Sequence, residues 1–223
     1  MIEALIFDMD GLMFDTERFY MDLFYANCKR DAFTFPKEVY YSLVGTSLVD
    51  LNKVEEKYPG FLAVDAKTKK QVPLAYYEVF KHPGDANKKG LRTLLEYAQT
   101  HGYKLAIASS SAYPVIQRNL DYMGFAAHFD AIVSGKDEGL KSKPDPMIFM
   151  YAAKLLDKDP SKCLVLEDSR NGTMAAHAAN MPHVFIQDLV AKDEALLPYL
   201  DQECQDLSEV VQLLENQALF WKS

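Results

Sequence analysis

Two carboxylates stand at the end of the first apolar run of the chain and are the residues best suited to chemistry. The run from Ala4 to Asp8 reads as a buried strand, Asp10 follows two residues later, and Gly11 allows a tight turn. Alternate side chains of a strand point to the same side, so the charges of Asp8 and Asp10 repel each other. Such a pair at a buried strand end is costly without a cation. Mg²⁺, which prefers oxygen ligands and phosphate, would relieve the repulsion.

Polar residues also stand at or near the ends of three later apolar strands. In open parallel sheets, ligands bind beyond the carboxyl ends of the strands, so these residues are expected to meet in one pocket. That pocket would combine four carboxylates, a run of hydroxyls and a lysine. The additional residues are Ser109, Ser110 and Ser111 after the strand from Lys104 to Ala108, Lys143 in the loop after the strand from Ala131 to Ser134, and Glu167 and Asp168 at the end of the strand that begins at Cys163.

These residue types match the requirements of phosphoryl transfer. One carboxylate can attack phosphorus, and a second carboxyl can protonate the leaving oxygen and then activate water. Mg²⁺, an ammonium group and hydroxyl donors spread the charge of the transferred group. Each segment alone has an ordinary interpretation, because three serines are typical of a turn or helix cap and a lysine before proline is typical of an exposed loop. Their joint occurrence at four strand ends favours the catalytic interpretation.

The composition limits the function classes. The chain has 223 residues and a net charge of −8, which argues against binding to a nucleic-acid backbone. No segment reaches the apolar length of a membrane span, so no membrane partner is expected. Three widely spaced cysteines without a Cys-x-x-Cys pair predict reduced, buried thiols and a cytoplasmic location. The expected oligomeric state is a monomer or a weak homodimer.

The order of predicted elements indicates an α/β fold with an insertion. Residues 16–83 show helical spacing, no convincing strand, and breaks at Pro36, Gly45, Pro59 and Pro73, which predicts three or four short helices. After residue 84, short apolar strands alternate with amphipathic helices. This alternation predicts a Rossmann-like parallel sheet with right-handed crossovers and helices on both faces.

The chain resembles the haloacid dehalogenase superfamily, in the branch that includes β-phosphoglucomutases and phosphoglycolate phosphatases. The resemblance rests on four motifs at residues 8–17, 107–111, 142–146 and 165–176. It implies an α/β core made of residues 1–15 and 84–223, and an all-helical cap made of residues 16–83. The match covers essentially the whole chain.

The resemblance also implies a role for each motif residue and Mg²⁺ as the cofactor. Asp8 would be the nucleophile and a metal ligand, and Asp10 the general acid and base with its backbone carbonyl on the metal. Asp168 would be a metal ligand, and Glu167 would act on the metal through a bound water. The expected phosphate-binding residues are Gly11, Ser109, Ser110 and Lys143.

The resemblance further implies that the cap selects the substrate, with Thr46, Ser47 and Tyr20 as candidate contacts. Phosphoglucomutases of this branch tend to carry an arginine just after the cap loop and a histidine at the position of Tyr20. This chain has neither, so hydrolysis of a small phosphorylated metabolite, such as a sugar or polyol phosphate, is favoured over a β-phosphoglucomutase-like phosphomutase. A receiver-type phospho-acceptor module is disfavoured, because Asp8 and Asp10 precede a long insertion.

Overall fold

The computed structural model describes residues 1–44, 50–189 and 194–216 of the chain. Within them six strands form one parallel sheet in the order β3-β2-β1-β4-β5-β6, which confirms the predicted Rossmann-like fold class. The chain order reverses at the central strand β1, so the carboxyl end of β1 is where a ligand site is expected. The strands are β1 (Ala4–Phe7), β2 (Lys104–Ser109), β3 (Ala131–Ser134), β4 (Cys163–Glu167), β5 (His183–Ile186) and β6 (Gln202–Cys204).

Helices cover both faces of the sheet. The alternation of side chains along β1 separates two cores, because Leu5 and Phe7 belong to one apolar cluster and Ala4 and Ile6 to the other. The first face packs against α5 and α9, and the second against α7 and α8. The core helices are α5 (Leu91–Thr100), α6 (Tyr113–Asp121), α7 (Met147–Leu155), α8 (Arg170–Ala178) and α9 (Leu207–Glu215).

Strand β6 was not predicted from the sequence. It is only three residues long, and Cys204 is its single buried residue. An edge strand of this length has no apolar run to identify it, and its backbone pairing with β5 is a tertiary contact.

Four helices lie between β1 and α5 in the described residues, in agreement with the three or four that the sequence predicted, and we call residues 16–79 the helical insertion. They are α1 (Thr16–Arg30), α2 (Lys37–Leu43), α3 (Leu51–Lys57) and α4 (Phe61–Val79). Phe24 and Phe61 pack in an apolar cluster that belongs mainly to the insertion, and a hydrogen bond of 3.0 Å from Asn27 to Thr68 joins α1 to α4. The expected domain boundaries at residues 15 and 83 stay a prediction.

The predicted break at Pro73 was wrong, because α4 continues through this residue for 19 residues in total. Proline lacks the N–H that would bond to the carbonyl of Lys69, which normally disrupts a helix. Both residues lie on the exposed side of α4, where water can hydrate the freed carbonyl. Burial of other positions of α4, which include Phe61, Val64 and Tyr76, holds the helix together.

Two expectations from composition can be compared with the described residues. Cys28, Cys163 and Cys204 are all buried free thiols, as predicted. None of the described helices combines the length and apolar character that a transmembrane span requires. The cytoplasmic location and the monomeric or weakly dimeric state stay predictions.

Candidate active site

The loop after β1 places its residues against the end of β4. The backbone N–H of Asp8 donates to the carbonyl of Leu166 at 3.0 Å, which continues the pairing of the two strands. Gly11 has a φ of +87°, and a Cβ at this position would lie 2.3 Å from Oδ2 of Asp168. Only glycine permits this close approach. The turn therefore brings the first and last motifs together across more than 150 residues of sequence.

Lys143 is a buried cation between two carboxylates. Its side chain is 5% exposed, and Nζ contacts Oδ1 of Asp8 and lies 2.6 Å from Oε1 of Glu167. Burial raises the pKa of Asp8 to about 7; attraction by Lys143 opposes this rise and repulsion by Glu167 adds to it. Burial lowers the pKa of Lys143, but attraction by the two carboxylates outweighs it and the net pKa is raised. Lys143 is thus fully charged beside the predicted nucleophile.

Glu167 holds Lys143 in place. Its Oε2 accepts hydrogen bonds from the backbone N–H and the hydroxyl of Ser169 at 2.8 and 2.9 Å, while Oε1 accepts from Lys143. Gly172 makes room for this carboxylate, because a Cβ there would lie 1.7 Å from Oε1. Both oxygens of Glu167 therefore have protein partners, and its predicted action on a metal through water stays a prediction.

Hydroxyl groups surround the carboxylate of Asp10. Thr16 donates to Oδ1 at 2.8 Å, and Ser111 donates to Oδ2 at 2.6 Å. Ser109 is fully buried and lies 3.4 Å from the same Oδ2. These partners fix the orientation of Asp10 in the wall of the cavity described below. Of the two serines predicted to bind phosphate, Ser110 lines that cavity and Ser109 lies behind it.

Carboxylate oxygens without hydrogen-bond partners lie beside Gly11 and fit a divalent cation. Oδ1 of Asp168 and Oδ2 of Asp188 are buried and have no partner in the described structure. Burial, followed by repulsion from Glu167, Asp8 and Asp188, raises the pKa of Asp168 well above its ordinary value. A cation at this point would satisfy these oxygens and reverse the repulsion.

The residues that could hold such a cation are Asp8, the backbone carbonyl of Asp10, and Asp168. No group of three His, Cys, Asp or Glu side chains in the described residues forms a ready metal cage. This is compatible with Mg²⁺, which usually binds one or two carboxylates, keeps several waters and takes further oxygens from a phosphate. Asp188 lies next to this set, with its Oδ1 held by Lys88.

A cavity of about 740 Å³ opens above these residues, between the sheet and the helical insertion. Asp8, Asp10, Lys143 and Asp168 line its base, so the structure brings the predicted catalytic and metal-binding side chains together, apart from Glu167. The insertion contributes Phe19, Tyr20, Tyr41, Ser42, Val44 and Val72.

Of the predicted substrate contacts, only Tyr20 can be placed. Its ring lines the cavity, and its hydroxyl donates to Oδ1 of Asp65 at 2.8 Å. Thr46 and Ser47 lie outside the described residues.

Several residues of the site were not singled out from the sequence. Asp188 follows the end of β5, so the rule that located the other strand-end residues would have found it too. Glu17 lies in the first turn of α1, where burial, followed by repulsion from Asp10 and Asp188, raises its pKa to about 8. Arg118 lies within α6 and carries no sequence signal, because a helix position lines a cavity only through packing.

Comparisons with known proteins agree with this geometry. Residues 5–186 match the family model described as haloacid dehalogenase-like hydrolase. The "Phosphorylated carbohydrates phosphatase" of Thermotoga maritima is 27% identical over 191 residues, covering 82% of this chain and 84% of that protein. "Protein CbbY" of Cereibacter sphaeroides is 31% identical over 197 residues, covering 81% and 82%. The solved structure of β-phosphoglucomutase from Clostridium difficile has a TM-score of 0.72 at 23% identity, covering 98% and 99%.

Proposed function

Because the chain belongs to the haloacid dehalogenase-like hydrolase family, we propose that it is a Mg²⁺-dependent phosphatase acting through an aspartyl-phosphate on Asp8. The observation that carries the proposal is the contact of Lys143 with one oxygen of Asp8, at the base of the cavity that Asp10 and Asp168 also line. This arrangement provides a nucleophile, a general acid and a cation site for one phosphoryl group.

The first chemical step would be an attack by the Asp8 carboxylate on phosphorus. The bond from phosphorus to the leaving oxygen breaks as the new bond to Asp8 forms, and Asp10 donates a proton to that leaving oxygen. Thr16 and Ser111 hold the carboxyl of Asp10 in a fixed orientation for this transfer. Lys143 favours the ionised form of Asp8 and attracts the phosphoryl oxygens.

The second step would release phosphate. Water attacks phosphorus, Asp10 accepts the proton of that water, and the carboxylate of Asp8 is restored when its bond to phosphorus breaks. Bound Mg²⁺ would neutralise the charge of the phosphoryl oxygens and favour the ionised form of Asp8. Asp8, Asp168 and the carbonyl of Asp10 would hold it.

The proposed substrate is a small phosphorylated metabolite such as a sugar or polyol phosphate. The cavity volume of about 740 Å³ suits a ligand of this size or larger. The name of the Thermotoga maritima relative, a phosphatase of phosphorylated carbohydrates, supports this class. The helical insertion would act as the cap, because it contributes part of the lining of the same cavity as the carboxylates.

A screen of the purified chain against phosphorylated metabolites, with Mg²⁺ or with EDTA, tests the proposal. We expect release of free phosphate with Mg²⁺ only, and its loss in Asp8→Asn, which is nearly isosteric. Asp31→Asn removes an equal charge from an exposed ion pair and serves as the matched control. Full activity of Asp8→Asn would exclude the aspartyl-phosphate. Conversion of glucose 1-phosphate to glucose 6-phosphate without free phosphate would instead identify a phosphomutase.

A further inference from the structure

Arg118 is a cation in the cavity wall that the proposed chemistry does not use. It lies on α6, which begins two residues after Ser111, the hydroxyl partner of Asp10. Val115 and Arg118 are three residues apart and both line the cavity, so one face of α6 leads away from the carboxylates. Arg118 lies six positions after Ala112, the N-cap residue of this helix, which corresponds to a rise of about 9 Å along the axis. The backbone of Arg118 is thus displaced along α6 from the hydroxyl that contacts Asp10, and its side chain can contact a part of the ligand other than the transferred phosphoryl group.

The guanidinium group of Arg118 is held on one face and one edge. Its central carbon lies 4.3 Å from the ring centroid of Tyr76, a fully buried residue of the helical insertion. Nε and Nη2 donate to Oδ1 of Asn119 at 3.3 and 3.0 Å. Arginine has five N–H donors in a rigid plane, so donors remain for a ligand. The stacking and the bonded edge restrict the side chain before any ligand binds.

Among the described residues Arg118 has no acidic partner, because no carboxylate oxygen there lies within 4.0 Å of its nitrogens. By contrast, Arg92 pairs with Glu96 at 2.7 Å, and Lys143 contacts two carboxylates. A restrained, unpaired guanidinium in a cavity wall is suited to bidentate binding of a carboxylate or phosphate.

We propose that Arg118 binds a second anionic group of the substrate, so that the preferred substrates are phosphomonoesters with a carboxylate or a second phosphate at the far end. This proposal rests on the proposed phosphatase function and narrows its substrate class. A purely structural role of Arg118, in joining α6 to the helical insertion through Tyr76, would affect all substrates equally. The specificity between matched substrates therefore separates the two roles.

The test compares kcat/KM for two matched pairs in the presence of Mg²⁺. The first pair is 6-phosphogluconate and glucose 6-phosphate, and the second is fructose 1,6-bisphosphate and fructose 6-phosphate. The wild-type chain should prefer the substrate with the additional charge in at least one pair. Arg118→Met should reduce that preference by about tenfold to hundredfold, the value of a hydrogen-bonded ionic contact. Arg118→Lys should retain part of it, because the charge remains but the planar fork is lost.

Arg92→Met is the matched control, because Arg92 also lies over an aromatic ring, at 5.5 Å from Phe125, but outside the cavity lining. It should leave the preference unchanged. A preference in Arg118→Met within about twofold of wild type for both pairs would overturn the proposal. An equal loss of kcat/KM for both substrates of each pair would also overturn the proposal.

Hydrolysis of acetyl phosphate reports on the phosphatase function separately. A wild-type chain that hydrolyses acetyl phosphate but shows no preference in either pair refutes the role of Arg118 alone. If no substrate is turned over, calorimetry measures the affinities of the four substrates for the Asp8→Asn variant and for the double variant that also carries Arg118→Met. The preference within each pair is then compared between the two variants. Equal affinities would then overturn the proposal.

Discussion

Replacement of Lys143 by methionine should destabilise the protein strongly and in a pH-dependent way. Methionine keeps the apolar stem but removes the ammonium group, which lies between two carboxylates and 4.7 Å from the ring centroid of Phe149. Asp8 is 7% exposed and Glu167 is fully buried, so water cannot replace the lost cation. The variant therefore leaves two buried negative charges next to each other.

The expected loss in the free energy of unfolding is about 3–5 kcal/mol near pH 8, the usual effect of removing one partner from a buried ion pair. The loss should be smaller at pH 5.5. Attraction by Lys143 lowers the pKa of Asp8, so its removal moves that pKa further above about 7. At pH 5.5 the folded variant then holds Asp8 in the neutral form, which reduces the repulsion between the carboxylates. Mg²⁺ should also reduce the loss by binding beside Asp8.

Urea denaturation in EDTA at the two pH values measures this effect. Lys67→Met is the matched control, because Lys67 pairs with Asp31 at 2.6 Å but the side chains are 35% and 37% exposed. An exposed pair contributes only about 0–1 kcal/mol. A Lys143→Met variant as stable as the control variant at pH 8, or with the same loss of stability at both pH values, would refute this prediction.

Three further outcomes are expected. Gly11→Ala should reduce both activity and Mg²⁺ affinity, since its Cβ would lie 2.3 Å from Oδ2 of Asp168 and a φ of +87° costs an L side chain about 1–2 kcal/mol. A titration of activity with Mg²⁺ measures both effects, and a curve identical to that of the wild type would contradict the prediction. Asp188→Asn should lower the pKa values of Asp168 and Glu17, because repulsion by Asp188 contributes to raising both values. An NMR titration of the carboxyl carbons in EDTA measures these pKa values, and unchanged values would disprove the prediction. The metal-free protein should lose stability as pH rises from 3.8 to about 7, because the folded chain holds the proton of Asp8 in this range and the unfolded chain releases it. Melting temperatures in EDTA and in Mg²⁺ measure this loss, which Mg²⁺ should diminish.

The sequence alone was sufficient for most of the fold and for the base of the site. The apolar runs that became β1, β2, β3, β4 and β5 are short and continuous, as is typical of strands buried on both faces. Polar residues at or after the ends of parallel strands meet at one edge of the sheet whatever the details of packing. This is why the sequence alone predicts that Asp8, Asp10, Lys143 and Asp168 share one pocket.

The sequence was insufficient where an element depends on its neighbours. β6 forms because β5 offers a free edge, and α4 passes through Pro73 because other positions of the helix are buried. Neither condition can be read from a local pattern, since pairing partners and buried faces are set by distant segments.

Only the tertiary structure decided which side chains surround the carboxylates proposed to be catalytic. Lys88 and Asp188 are 100 residues apart and pair through a side-chain contact. The stacking of Arg118 on Tyr76 depends on how α6 meets the helical insertion. Strand ends are ordered by backbone hydrogen bonds, whereas these contacts depend on how individual helices and loops pack. The chain thus encodes its proposed phosphoryl-transfer residues locally, and the environment that tunes them arises only on folding.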